Sequence, residues 1–581
     1  MSHLLSTTGL SCDTRLQTHP VILPTMGLHK QYMRVGQSAK NSLFGIKPDP
    51  VRRTPNGSSP LQMLISNQGK INHGRLIWIL FGIFALVLGI ILTSIPWLDY
   101  IILKNLRLWN GTLSFHYWQK PGVIRLTKVY IFNITNVENF LANGEKPKLT
   151  EVGPFVYREN MEKVNIKFHE NHTVTYQHKK ILNFVPELSV NKETRFHVPN
   201  IPLLSLSTMS NNVNFIMQRA ISMFLTATSY KPFVQITADE LVFGYDDILV
   251  ALAHNFYPRS KRPASKMGLL ISRNGTLKEV STIYTGHTSM HDFGLLSRLN
   301  GLDKLPYWKE SPCNDIRASE GSFFPPREYT KSDLVYVYDK DLCRILPLQY
   351  RGPADKHGIS ADLFTPPDDV FNSTYDDNRC YYHGIHGCVP RGLQYIGPCQ
   401  SDAPVYLSFP HFYNADPTLL DAVEGLKPDE MKHRSYFKIQ PRLGVPIEGK
   451  VRLQLNLKVE RAWNIASVKN FPSMVYPIMW LEEGVEELTP EIRTWIYLAT
   501  TVADLAVPVL NYGMITLGAF ILIVVFVKAY KNIVFTKQTM EIGMKTFRRG
   551  SSYLVNGQHR LMIVRESYSL LNGSTDNEPE V

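Results

Sequence analysis

The chain has 581 residues, 44% hydrophobic and 19% charged, which supports a large folded core and excludes a small peptide, a fibre and a wholly disordered chain. Lys and Arg exceed Asp and Glu by 12, a surplus that in a soluble protein points to nucleic acid. The charges sit elsewhere: residues 1–75 carry nine basic against two acidic residues, residues 528–581 eight against five, and everything between them nets only +2.

The N-terminal tail, 1–75, is polar, with Pro, Gly, Ser and Asn gathered between Pro48 and Pro60, and is expected to be disordered. Next comes an uncharged run, Leu76 to Leu98, matched near the other end by Leu505 to Val527. Each has 23 residues, and at about 1.5 Å per residue reaches about 34 Å, enough to cross a hydrocarbon core of about 30 Å. The first run lies too far from the start to be a cleavable signal peptide and reads as an uncleaved anchor. Basic tails outside both runs place both termini in the cytosol by the positive-inside rule. The expected organisation is therefore a hairpin, with tails 1–75 and 528–581, spans 76–98 and 505–527, and an ectodomain of residues 99–504 outside the cell or in a lumen. Tail cations beside an anionic leaflet account for the charge without a nucleic-acid partner. Within the first span Ala85 and Gly89 form a small-residue pair that reads as lipid-facing filler, and Asn511 sits in the outer part of the second span, where water makes it tolerable.

Five Asn-X-Ser/Thr sequons, Asn110, Asn133, Asn171, Asn274 and Asn372, cluster between the runs and make glycosylation candidates, whereas Asn56 and Asn572 would be cytosolic. Val164, Ile166 and Phe168 alternate with polar residues ahead of a Glu170-Asn171-His172 turn, the pattern of a half-buried strand. Val213, Ile216, Met217, Ala220, Ile221, Phe224 and Leu225 recur at three and four, the stripe of an amphipathic helix, for which a core role is the ordinary reading. Cys313, Cys343, Cys380, Cys388 and Cys399 fall within one stretch of the ectodomain and suit an oxidising compartment; two bridges among five cysteines allow 15 connectivities, and spacing selects none. Val451 to Val459 alternates through nine residues, a half-buried strand with odd positions inward. Helix and sheet thus share an α+β ectodomain. In the C-terminal tail Glu566, Leu570 and Leu571 form an acidic dileucine pattern, a segment that a clathrin adaptor can grip in extended form.

Tyr130 to Glu159 (YIFNITNVENFLANGEKPKLTEVGPFVYRE) resembles the class B scavenger receptors, the family of fatty-acid translocase, the lysosomal integral membrane protein and the insect sensory-neuron membrane proteins. Further matches follow in order: Asp239 to Tyr245, Cys313 to Ile316 leading to Phe323-Phe-Pro-Pro326, Pro404 to Phe412 with Ala415-Asp416, and Arg452 to Asn456. The resemblance covers nearly all of residues 76–530. It implies one ectodomain with an antiparallel β-barrel core, an internal lipid tunnel and a helical apex near 213–252, where Phe224 and Lys231 become ligand-contact candidates. It favours a Cys343–Cys399 bridge and leaves Cys313 and Cys388 competing for Cys380. The basic apical patch that attracts anionic lipoproteins in the family is reduced here to Lys231.

Cys380, His383, His386 and Cys388 hold metal-ligand chemistry within nine residues, but an oxidising compartment favours disulfides, and no metal or other cofactor is expected. His287, His291 and His411 read as hydrogen-bonded structural residues. No nucleophile elbow, His-Glu-X-X-His or Gly-rich phosphate loop occurs, so no catalytic residue is assigned and an enzyme is not expected. The expectation is a plasma-membrane receptor, cycling to endosomes or lysosomes, that binds lipids or lipoproteins and mediates uptake, transfer or endocytosis. A pheromone or odorant co-receptor and a lysosomal sorting receptor are variants of it. A two-span ion channel is the rival of another class, opposed by the few cysteines and the lack of polar pore positions.

Overall fold

The computed structural model describes residues 73–534 apart from 257, 259–261, 263 and 383–387. Cys12, His383, His386 and the dileucine residues Glu566, Leu570 and Leu571 lie outside the described residues. The chain divides into two units, one holding the two long apolar helices and the other residues 98–505.

In the first unit, helices His73–Ser94 and Ala503–Val534 are long and apolar enough to cross a membrane. The first stops at Ser94, earlier than the uncharged run predicts, because Pro96 has no N–H for the helical ladder and restricts the residue before it. Its buried residues are Gly82, Ala85 and Gly89. A Cβ on Gly89 would stand 2.6 Å from Ile515 Cγ1, and one on Gly82 3.0 Å from Leu522. The pair Ala85 and Gly89 is thus a helix-packing seam and not lipid-facing filler, since only small side chains let two backbones come this close. Asn511 is buried as well, donating from Nδ2 to the Leu92 carbonyl at 3.2 Å.

The second unit contains β1 (Val123–Ile134), β2 (Leu149–Phe168), β3 (Thr173–Phe184), β4 (Arg195–Pro199), β5 (Phe233–Thr237), β6 (Gly275–Tyr284), β7 (Leu296–Leu299), β8 (Leu334–Asp339), β9 (Arg344–Lys356), β10 (Ile359–Thr365), β11 (Gln394–Tyr395), β12 (Val405–Ser408), β13 (Tyr436–Gln440), β14 (Val445–Val459) and β15 (Met474–Leu488). Eleven of these form an antiparallel path, β7-β6-β3-β2-β1-β15-β14-β13-β10-β9-β8, with β12 and β11 added beside β14 and β4 paired with β5 apart. The two ends of the path meet. Leu296 N donates to Ala318 O at 2.8 Å, while Ser319 N donates to Tyr336 O at 2.9 Å and Ser319 O accepts from Tyr338 N at 2.7 Å. Residues 318–319 thereby join β7 to β8 and close the path, so that neither β7 nor β8 is left as a free edge.

β14 departs from the half-buried strand that its alternation predicts. Arg452, Gln454 and Asn456, the expected outward positions, are all buried. β14 is central and covered on both faces, so these polar side chains are satisfied internally. Arg452 Nε lies 2.7 Å from Glu482, Gln454 Oε1 accepts from His411 N at 2.6 Å, and Asn456 Nδ2 donates to Ser408 at 3.0 Å.

Between β4 and β6 the chain is mostly helical. Asn200 caps Ile201–Ser210, Asn214 caps Phe215–Ala227, and Thr237 with Glu240 forms a reciprocal capping box on Ala238–Phe243. The stripe of Phe215–Ala227 is only partly core. Leu225 is fully buried, but Ile216 is 79% exposed and Met223 74%, and Met217 and Phe224 are exposed as well. Because the Gly89 seam has no room for a side chain, Gly89→Leu is expected to destabilise the full-length protein by about 1–3 kcal/mol. Thermal unfolding in detergent measures this.

Candidate ligand cavity

Side chains alternate across a strand, so every second residue of a closed sheet points to its interior. On β15, Glu483 and Val485 point there; on β1, Val123 and Arg125; on β6, Leu277, Glu279 and Ser281; on β8, Val337 and Asp339. They line a cavity of about 600 Å³. Apolar residues at the two ends of the ectodomain complete it, Ile101, Ile102 and Leu113 early in the chain and Ile492, Trp495, Ile496 and Ala499 late.

Most of the wall is apolar, but one band is charged and tightly paired. Glu483 receives three cations, with Lys180 Nζ at 2.7 Å, Arg273 Nη1 at 2.9 Å and Arg125 Nη2 at 3.5 Å. Arg125 also holds Glu159 at 3.1 Å, where Thr127 donates at 2.6 Å, and Arg273 reaches Asp341. Burial alone would raise the Glu483 carboxyl, but Lys180 and Arg273 outweigh it and hold the group well below the usual carboxylate range. Beside it Lys163, enclosed by the Trp118 and Tyr176 rings, sits 3.5 Å from Glu320 and donates to Ser322 at 2.7 Å. Burial opposes ionisation of Glu320 too, and is overcome by Lys163 and His178. Trp118 Nε1, His178 Nδ1 and Glu320 Oε1, all from cavity-lining residues, make no hydrogen bond among the described residues, the last being only in the ion pair with Lys163. Burial raises the Glu279 carboxyl, and burial with the neighbouring Asp341 pushes Asp339 up to about 6. Burial beside Lys180 and Arg273 pushes Lys340 down to about 8.

The profile of the CD36 family matches residues 79–529. The chain is 32% identical over 451 residues to scavenger receptor class B member 1 of Bos taurus, covering 77% of this chain and 87% of that protein. It is 32% identical over 429 residues to lysosome membrane protein 2 of Homo sapiens, covering 73% and 87%. The chain belongs to the CD36 family. With its two apolar helices it is a two-span membrane protein of the scavenger receptor type.

In this CD36-family ectodomain Cys313 is joined to Cys380 and Cys343 to Cys399. Cys313, and not Cys388, is the partner of Cys380, and an oxidised Cys380 drops out of the four-residue metal pattern. Of the histidines, His287 stacks on His172 at 4.1 Å, the His291 N–H donates to Ser289, and His411 Nε2 meets Glu151 at 2.6 Å. Phe224 and Lys231 are both exposed, the first on Phe215–Ala227 and the second in the turn before β5, and neither lines the cavity. The sequons divide by structure. Asn110, Asn171 and Asn274 are exposed at turns or chain bends, and Asn372 is half-buried in a turn. Asn133 lies inside β1, opposite Thr150, with Oδ1 accepting from His197 N at 2.8 Å. The cavity residues carried no sequence signal of their own, because many segments far apart in the chain supply them.

Two outcomes are expected. Glycopeptide mass spectrometry of the full chain finds glycans at Asn110 and Asn171 and none at Asn133, whose side chain is half-buried and engaged by the His197 N–H. Glu483→Ala removes the carboxylate that Lys180, Arg273 and Arg125 share, leaving the three cations only Glu159 and Asp341, and lowers stability by about 3 kcal/mol, while Ala at the exposed Glu487 changes it by less than about 0.5 kcal/mol. Paired unfolding curves read the difference.

Proposed function

We propose that this protein is a lipid receptor that takes apolar chains from outside the cell, or from a lumen, into the cavity of its ectodomain and passes them to the membrane or into endocytosis. The observation that carries the reading is the cavity itself, about 600 Å³ inside a closed sheet and mainly apolar in lining. That volume lies in the range of about 300–1,000 Å³ typical of small-molecule sites. Each methylene desolvated there contributes about 0.8 kcal/mol, so a long acyl or isoprenoid chain binds without any catalytic group. In this reading the closed sheet is a barrel and the cavity a segment of a lipid tunnel, with Trp118 Nε1 and His178 Nδ1, which have no hydrogen-bond partner among the described residues, available to a ligand's polar end.

Both termini are cytosolic in this reading, residues 99–504 are the ectodomain, and the protein works at the plasma membrane and in endolysosomes. Relatives named as a scavenger receptor and as a lysosome membrane protein support those two locations. The pattern Glu566, Leu570 and Leu571 recruits clathrin adaptors and links them. Transport is passive, because the sequence carries no nucleotide-site motif. A specific observation favours a second reading, a sorting receptor that grips a protein: the exposed Ile216, Met217 and Met223 make an apolar face on Phe215–Ala227.

The test is to purify the full chain, extract it and identify bound lipid by mass spectrometry. Wild type is expected to carry a stoichiometric apolar lipid. Val451→Trp and Ala499→Phe, which fill the cavity from two sides, are expected to lower its occupancy about tenfold, the effect of about 1.4 kcal/mol. A folded wild type that is empty and takes up no offered lipid overturns the reading in favour of the protein-binding one.

A further inference from the structure

Among the cations that line the cavity, Arg125 and Lys180 are fixed in ion pairs. Lys340 also lines it, yet among the described residues its ammonium makes no hydrogen bond and no ion pair within 4.0 Å, only longer-range interactions with Asp341, Glu483 and Glu279. The backbone that presents it is firmly held. Asp339 Oδ1 accepts from the N–H groups of Asp341 and Leu342 at 2.9 and 3.0 Å, Trp308 Nε1 donates to Cys343 O at 2.6 Å, and the Cys343–Cys399 bridge ties the turn to a distant segment. Among the described residues Lys340 is therefore a primary amine with no hydrogen bond or close ion pair, set at the wall of a mainly apolar cavity.

We propose that Lys340 captures long-chain aldehydes in this cavity by reversible imine formation, a covalent ligand class that rests on the lipid-receptor reading and deepens it. The free amine of Lys340 attacks the carbonyl carbon, forming the C–N bond, and the carbonyl oxygen takes up a proton. The carbinolamine then loses that oxygen as water, which carries off the two hydrogens first borne by nitrogen, and leaves C=N. No oxidant or reductant is consumed. A lysine becomes a nucleophile of this kind when it is desolvated or set beside other cations, and Lys340 meets both conditions, with Lys180 and Arg273 as its cationic neighbours. With its ammonium near 8, Lys340 holds on the order of a hundredfold more free amine at neutral pH than an exposed lysine. Glu279, which burial holds towards its protonated form and which interacts electrostatically with Lys340, can give the leaving hydroxyl its proton. The apolar lining takes the alkyl chain and limits the water that would hydrolyse the imine.

The experiment uses the full-length protein in detergent with hexadecanal as probe, sodium cyanoborohydride to fix any imine, and peptide mass spectrometry to locate hexadecyl-lysine. Retention of radiolabelled hexadecanol, which fills the same space but forms no imine, is measured in parallel. The expected result is an adduct enriched at least about tenfold at Lys340 over exposed lysines such as Lys309, as its greater share of free amine requires. In Lys340→Arg, which keeps the charge but forms no imine, the adduct at this position is lost while the unfolding temperature is retained. Labelling that shows no preference for Lys340, in protein that retains hexadecanol, overturns the imine and leaves the cavity reading standing. Protein that retains neither probe overturns both.

Discussion

Glu482 and Glu483 are neighbours on β15 and point to opposite faces of the sheet, and each is where cations from separate strands converge. On one face Glu482 meets Arg452 and Lys450 of β14 and Lys128 of β1; on the other Glu483 meets Lys180 of β3, Arg125 of β1 and Arg273. A slip of one residue in the β1–β15–β14 pairing would exchange the faces and leave both groups of cations without their carboxylate. Desolvated ions are tolerated only when fully paired, so this double arrangement fixes the register on which sheet closure and the cavity depend. Most of the charge on the cavity wall is thereby paired, with Glu483 shared by Lys180, Arg125 and Arg273.

The ends of the ectodomain are fixed by a related device. Arg442, from the turn between β13 and β14, reaches Asp99 at 2.6 Å and also pairs with Asp504, so one guanidinium joins residues at the start and the finish of the unit. The segments next to them supply Ile101, Ile102, Trp495 and Ile496 to the cavity wall. Binding a ligand there therefore touches the stretches of chain that lead into the two apolar helices. In those helices the small residues Gly82, Ala85 and Gly89 serve what charge pairs serve in the sheet, close approach in a defined register, by contact between backbones and without desolvating any ion.

The two apolar helices and the family were legible in the sequence because they rest on one-dimensional signals: two uncharged runs and an ordered set of family motifs. Local periodicity was a weaker guide. The alternation of Val451 to Val459 identified a strand but misjudged its outer face, since alternation reports a polar residue and not whether that residue is wet; Arg452 is polar and buried because Glu482 lies opposite. The stripe of Phe215–Ala227 identified a helix but not its exposure, because Ile216 and Met223 obey the same periodicity as Leu225. The resemblance favoured Cys343 for Cys399, while the competition of Cys313 and Cys388 for Cys380 needed three-dimensional proximity to decide. The cavity was illegible, being made of alternate residues from strands far apart in the chain.

Lys340 shows the same limit in its sharpest form. In sequence Asp339-Lys340-Asp341 is a charged turn between two strands, and an ion pair with either carboxylate is the ordinary expectation. In the fold Asp341 is taken by Arg273 and Asp339 by the backbone of its own turn, so both adjacent anions are engaged before Lys340 can use them. Glu483 is shared by Lys180, Arg273 and Arg125, and Glu279, which burial holds towards its protonated form, interacts with Lys340 only at longer range. Among the described residues Lys340 is thus a cation of the inner face that is left without a close ion pair. It is the position at which a bound molecule changes the electrostatics of the cavity without first breaking a pair that the fold requires.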